Sequence, residues 1–393
     1  MSSESHAFLP CARQHIDAAD IEAVTRAMSQ EIITRGPIVT AFEQAVASYC
    51  GAKYAVAFCN ATAALQGAYH VAGVSPYDKV ITTVNSFVAS VAPAVKVGIK
   101  PSFVDIDPAT GNMDLDHVGA ELKTPLSRGR HIIVPVHFAG NPVDMRRLES
   151  NITSKKTMII EDAAHAFGAM YRDGQRVGCC AWSDMAVFSF HPGKIMTTGE
   201  GGMVTTNDKE LCRRLRRFRI SGIERDPEYM ARNSGPGYYE VQEITGNYHL
   251  TDIQAALGLS QLQRVEQFLQ KRRLIMSWYR DLLDGMPHVN LFSPVGDARS
   301  AHHLMPAQID YAAYKTSRSA VMEALNKKRI GSQVHYIPLY SHPIFVKKFG
   351  DKVEQFPAME KYYSQALSLP MYYQLDKKDV ERICNELKAI LKS

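Results

Sequence analysis

Two residues of this chain carry chemistry that a fold alone does not require. Lys194 closes the run Ser189-Phe190-His191-Pro192-Gly193-Lys194, and Asp162 lies earlier, in Glu161-Asp162-Ala163-Ala164-His165. Each follows a short apolar run of strand type, 157–160 before the aspartate and 185–188 before the lysine. Strand ends are where α/β sheets gather their ligands. A lysine amine condenses with a carbonyl to give a Schiff base, and a fixed carboxylate can keep a pyridine nitrogen protonated. Those are the two groups a pyridoxal phosphate enzyme needs. Taken singly, each residue reads more simply as a surface lysine and a helix-capping aspartate.

Further segments would complete such a site. Cys59-Asn60-Ala61-Thr62-Ala63-Ala64-Leu65 follows a strand-like run and opens a helical one. Backbone N–H groups, small residues and the Thr62 hydroxyl would converge there on an anion. A threonine near a helix start is common, so this signal is weak alone. Ser189 offers a second hydroxyl to the same anion. Phe87, in Val84-Asn85-Ser86-Phe87, offers a ring to stack on a planar group, although a core position is the simpler reading. Thr198-Gly199-Glu200-Gly201-Gly202-Met203 predicts a tight turn that fixes the path beyond Lys194. No metal is expected: His302 and His303 are neighbours, which on a strand puts them on opposite faces, and His137, His165, His191 and His335 lack metal-type spacing. The sequence contains no P-loop, G-x-G-x-x-G or G-x-S-x-G motif.

The elements that must position these residues are legible in outline. Asp17 precedes Ile21, Val24 and Met28, near one helical face, and predicts a capped helix. Thr40 with Glu43 reads as a capping box before Phe42, Val46 and Tyr49, with Gly51 as the stop. Strand-like runs follow at 54–59, 80–83, 102–106, 132–138, 157–160, 185–190 and 203–206, between helical patterns. Several are apolar throughout, as strands buried on both faces are. The predicted class is α/β, with a doubly wound, mainly parallel sheet. From Asn207 the pattern is helical, with Glu210 completing a capping box, and the arginine cluster at 213–219 reads as a solvated or interface face rather than a nucleic-acid patch. After a Gly- and Tyr-bearing loop at 234–239 comes one helical stretch over 251–283, then strands at 303–309 and 333–336 and helices at 317–328 and 378–392. The expected division is a large domain over 1–260, including the N-terminal segment, and a smaller α+β domain over 261–393.

The chain has 393 residues, 46% hydrophobic and 22% charged, which gives a core large enough to need no staples. A net charge of +5 suits an anionic small substrate and falls short of a nucleic-acid footprint. Its 7 cysteines form no C-x-x-C pair, so a reducing, cytoplasmic setting is expected. Residues 1–6 lack a basic region before an apolar stretch, and the apolar run 87–95 is broken by Ser90 and Pro93. Neither a signal peptide nor a membrane span is expected.

Jointly, several segments resemble the DegT/DnrJ/EryC1/StrS family of sugar aminotransferases, over nearly the whole chain. They are Thr34-Arg35-Gly36-Pro37, Asn60-Ala61-Thr62-Ala63-Ala64-Leu65, Pro135-Val136-His137-Phe138-Ala139-Gly140, Glu161-Asp162-Ala163-Ala164-His165-Ala166, Phe188-Ser189-Phe190-His191-Pro192-Gly193-Lys194 and Gly246-Asn247-Tyr248-His249-Leu250-Thr251-Asp252. The resemblance implies an aspartate aminotransferase-like fold (pyridoxal phosphate fold type I) and pyridoxal 5'-phosphate as cofactor. It further implies L-glutamate as amino donor, a nucleotide sugar as acceptor, and a homodimer with shared active sites. By the same resemblance Lys194 anchors the cofactor, Asp162 pairs with its ring nitrogen, His165 lies near its phenolic oxygen and Phe87 stacks on the ring. Ala61, Thr62 and Ser189 hold the phosphate, which Asn247 reaches from the other subunit. His191 and Tyr336 are implied substrate contacts.

Phe-Ser-Phe-His before the lysine, Thr-Thr-Gly-Glu-Gly-Gly after it, and Gln333-Val334-His335-Tyr336-Ile337-Pro338-Leu339-Tyr340 look like the pseudaminic acid branch of that family. That branch aminates C4 of a UDP-linked 4-keto-6-deoxy-N-acetylhexosamine to UDP-4-amino-4,6-dideoxy-N-acetyl-β-L-altrosamine. The competing readings are an aminotransferase for another 4-keto or 3-keto nucleotide sugar, dTDP or GDP linked, and a dehydratase of the same fold. The dehydratase replaces the lysine with histidine, and Lys194 argues against it. The chain departs from the family's usual pattern at His249, where arginine is usual, and at Arg35, where glutamine is common. A histidine at 249 pointing into the site would add a charge that titrates near neutrality, and one turned to solvent or packed in the loop would be a structural substitution only.

Overall fold

The apolar runs assemble into one seven-stranded sheet in the computed structural model, which describes residues 7–232, 235–293 and 298–392. Residues 1–6, on which the signal-peptide expectation rests, and Ser234 lie outside the described residues. The strands are β1 (Tyr54–Phe58), β2 (Lys79–Thr83), β3 (Ser102–Val104), β4 (His131–Val134), β5 (Met158–Asp162), β6 (Met185–Ser189) and β7 (Gly202–Thr206). Their order is β1-β7-β6-β5-β4-β2-β3. β7 runs antiparallel to both its neighbours and the other pairings are parallel. The C-terminal ends of β1, β2, β5 and β6 therefore share one edge. β4 and β6 are buried at every position, and successive residues feed different cores: Ile132 and Val134 one, Ile133 the other. This two-sided burial is why those runs read as continuous apolar stretches.

The strand expected over 132–138 stops at Val134. Pro135 has no N–H to continue a ladder, and its carbonyl accepts from Asp162 N (2.8 Å). The chain then turns at Ala139 and Gly140, with φ of 55° and 89°.

Helix α1 (Ala18–Met28) carries the expected cap, Asp17, in a capping box with Asp20. Helix α2 (Pro37–Cys50) does not start where Thr40 and Glu43 suggested. Gly36 is its N-cap, and the buried carboxylate of Asp252 accepts from the N–H groups of Gly36 (2.7 Å), Ile38 (2.9 Å) and Val39 (3.2 Å). Glu43 instead accepts from Ala57 N (2.9 Å) and pairs with Arg219. Gly51 ends the helix in the left-handed region, as expected. The helix Lys209–Arg219 is capped by Asp208 rather than Asn207, and Glu210 turns to Arg213 instead of closing a capping box. Arg213, Arg217 and Arg219 are spent on Glu224, Glu243 and Glu43, so this basic cluster is an intramolecular ion-pair face.

The stretch 251–283 is two helices, Asp252–Leu262 and Val265–Leu283. At the break Arg264 turns to Asp17 and Asp20 below α1. A second core gathers Leu9, the end of the helix Val265–Leu283, a three-stranded antiparallel sheet (Val289–Leu291, Met305–Ile309, Ala366–Leu369) and the helices Arg318–Lys327 and Lys377–Lys392. The segment 333–336 makes only an isolated bridge, Gln333 to Ser368. No helix among the described residues is long and apolar enough to cross a membrane.

Candidate active site

Helix α3 (Ala61–Val71) begins directly after β1, and Asn60 caps it by accepting from Ala63 N (2.9 Å). The first-turn N–H groups of Ala61 and Thr62 have no partner inside the helix. That end lies against β7 so closely that a Cβ on Gly202 would stand 2.4 Å from the Asn60 carbonyl oxygen, so the glycine turn after Lys194 is a packing requirement.

Asp162 ends β5, 5% exposed; Ser90 Oγ donates to its Oδ2 (2.5 Å) and Ala164 N to its Oδ1 (3.1 Å). Ser189 ends β6 and is buried. From there the chain loops to Lys194, whose N–H donates to the His191 carbonyl (2.9 Å). Burial pulls the Lys194 amine down to about 8, against the opposing charge of Asp162. His165 is buried, with Nε2 2.9 Å from the Tyr336 hydroxyl and Nδ1 without a partner among the described residues. Burial first, then the charges of Lys194 and His335, hold His165 well below the usual histidine range. Phe87 is 57% exposed, so its ring is available to a ligand.

Ala61, Thr62, Phe87, Asp162, His165, Ser189, His191, Lys194 and Tyr336 all line one cavity of about 430 Å³. A second cavity, about 730 Å³, shares His191, Lys194 and Tyr336 with it and adds Cys11, His303 and His335. Asn247 is not brought to either cavity of its own chain. It is exposed, and its side-chain oxygen accepts from His249 N (3.3 Å). Burial, then the charges of Arg219 and Arg35, lower His249 to about 4, which favours the reading of a histidine packed in its loop. His302 and His303 precede the strand Met305–Ile309 rather than lying on it, and His302 has φ 48°. That places His303 Nε2 3.4 Å from Lys194 Nζ. Sequence reasoning missed His303, Ser90 and Arg272. Their contacts span 109, 72 and 78 residues, and no local spacing signals them. Among the described residues no cluster of metal-ligating side chains forms.

Lys194, Asp162 and the start of α3 meet at one cavity at a sheet edge, where an α/β enzyme places its chemistry. The chain matches the DegT/DnrJ/EryC1/StrS aminotransferase family over residues 14–388 and belongs to it. The UDP-4-amino-4,6-dideoxy-N-acetyl-beta-L-altrosamine transaminase of Campylobacter jejuni is 33% identical, with 98% of this chain and 97% of that protein covered. Among solved structures, Helicobacter pylori PseC, an aminotransferase of pseudaminic acid biosynthesis, superposes with a TM-score of 0.88 at 28% identity, covering 98% of this chain and 99% of that one. The PLP form of the putative sugar aminotransferase Spr1654 from Streptococcus pneumoniae superposes equally well, TM-score 0.88 at 27% identity over 98% of this chain and 99% of that one. The fold is that of the sugar aminotransferases, and this chain is a sugar aminotransferase.

Proposed function

We propose that the chain transfers an amino group from L-glutamate to the C4 keto group of a UDP-linked 4-keto-6-deoxy-N-acetylhexosamine. The observation that carries the reading is the lysine with a lowered pKa facing a buried carboxylate in a cavity headed by the start of α3. The names of the Campylobacter and Helicobacter proteins support the sugar.

The residues fit pyridoxal phosphate end to end. Thr62, Ser189 and the first N–H groups of α3 suit its phosphate, the uncovered face of Phe87 suits its ring, and His165 lines the same cavity beside them. When bound, the cofactor supplies the electron sink for a carbanion at the amino-bearing carbon. Asp162, steadied by Ser90 and Ala164, keeps the ring nitrogen protonated. Lys194 would anchor the cofactor, and its free amine would take the proton from the donor's α-carbon and, in the second half of the cycle, return a proton to sugar C4. A group with a pKa near the working pH suits both tasks. Tyr336 and His191, on the wall shared by the two cavities, contact the sugar. Asn247, turned away from its own cavities, serves the phosphate of a partner in a homodimer with shared sites. All 7 cysteines are free, in keeping with a cytoplasmic setting.

Turnover of UDP-, dTDP- and GDP-linked keto sugars with glutamate, followed by NMR of the amino product, tests the acceptor. An amine at C4 of the UDP sugar is expected, and amination at C3 or preference for another nucleotide would contradict the reading. Mixing Lys194→Ala and Asn247→Ala chains tests the shared site. One site of each mixed dimer inherits both defects and the other is intact, so activity should return on subunit exchange.

A further inference from the structure

On the side of Lys194 away from the cofactor cavity stands His303. It lines the larger cavity and not the smaller one, and it is only 6% exposed. Its backbone is held at both ends: N–H donates to Ala139 O (2.9 Å), and its carbonyl accepts from Arg272 Nη1 (3.2 Å). Arg272 is itself 2% exposed and makes no ion pair among the described residues. Its guanidinium is spent on carbonyls, those of His302 (3.1 Å), His303 and Met371 (3.2 Å) through Nη1 and that of Lys194 (3.4 Å) through Nη2. One buried cation thus fixes the backbones of Lys194 and His303 relative to each other.

We propose that His303 is a positioning residue whose Nε2–H donates to the uncharged amine of Lys194 whenever that lysine is free of the cofactor. It would hold the amine as a base on the wall between the two cavities. The proposal rests on the reading of Lys194 as the reacting amine.

The tautomer follows from packing. His303 Nδ1 is buried with no partner among the described residues. An unpaired acceptor is tolerated in protein interiors more readily than an unpaired N–H, so the hydrogen belongs on Nε2, the nitrogen that has a neighbour. At 3.4 Å the contact is long, and rotation of the flexible lysine stem can shorten it. The groups facing the amine are Asp162, which favours its charged form, and His165, His303, His335 and Tyr336, which are uncharged near neutrality. Burial lowers His335 to about 4 and raises Tyr336 above its usual range, and burial followed by neighbouring charges depresses His165 and His303. A donor to the neutral amine therefore acts with burial and against Asp162.

The test uses the full-length, cofactor-free chain. The rate at which trinitrobenzenesulfonate labels Lys194, followed by peptide mass spectrometry across pH, reads the amine's pKa directly. Wild type should titrate at about 8. His303→Leu should raise that value, each pKa unit slowing labelling below the midpoint about tenfold. His303→Gln keeps an amide N–H near the reach of Nε2 and should titrate with wild type, while the shorter His303→Asn should follow the leucine variant. In the loaded enzyme kcat should fall with KM for the sugar little changed. The asparagine–glutamine pair keeps the test decisive if the leucine variant fails to fold. An unshifted leucine or asparagine variant, or a glutamine variant shifted as far as leucine, overturns the proposal. A wild-type Lys194 that titrates at the ordinary value of 10.5 would instead fault the assignment of Lys194 itself.

Discussion

On the cofactor side Lys194 faces groups set at the ends of β1, β2, β5 and β6; on the other side it faces His303 and His335, from segments outside any strand, with Tyr336 on the wall between. The first side is built by one parallel sheet edge, so its groups fall a few residues past apolar runs. The second is assembled by single long-range contacts, chief among them the buried Arg272 bridging Lys194 and His303. A sheet edge gives several positions at once, whereas a side-chain clasp gives one. Damage on the sheet side should therefore remove chemistry, and damage on the clasp side should detune it.

The largest effect after loss of the lysine is expected at Asp162. Asp162→Asn keeps the shape and loses the charge that, in the proposed mechanism, would hold the ring nitrogen protonated. The rate should fall by roughly 10²–10³, the scale of a lost electrostatic partner, with the cofactor still retained. Single-turnover kinetics with glutamate alone would measure it, and a near-normal rate would remove the carboxylate's role. Asp252 offers a smaller effect of another kind. It caps α2 with three N–H groups and touches neither cavity, so Asp252→Ala should destabilise by about 1–3 kcal/mol. The denaturant midpoint should drop, while kcat per folded molecule changes far less.

The smallest effect is expected at His249. Its folded pKa, about 4, lies below the ordinary histidine value of 6.5. The unfolded chain binds the extra proton first, so stability from this group is complete above about 6.5 and is lost as pH falls toward 4. His249→Gln should leave cofactor and sugar binding between pH 7 and 8 unchanged and make the protein more tolerant of acid. A binding profile with a midpoint near 6.5 that vanishes in this variant would show instead that the histidine titrates in the site.

The same contrast explains what could be read from the sequence. The seven strands of the large sheet were visible because both faces are buried, and Lys194, Asp162, Thr62 and Ser189 because they follow those strands. Asp17 was visible as a cap because Ile21, Val24 and Met28 follow it on one helical face; its capping-box partner Asp20 came only with the structure. The cap of α2 was hidden, since Asp252 is 216 residues from Gly36 and a local pair, Thr40 and Glu43, imitated it. His303 was misread because a strand was assumed two residues too early, so alternation of faces was applied where the chain is not extended. Arg272 looks like any charge on a long helix until the carbonyls around it are seen.

The most direct test of the central claim is where the cofactor is attached. Borohydride reduction of the holoenzyme, followed by peptide mass spectrometry, should place one reduced pyridoxyl group on the peptide that contains Lys194, and the Lys194→Ala chain should show none and no turnover. A pyridoxyl group on another lysine, or full activity in the alanine variant, would contradict it.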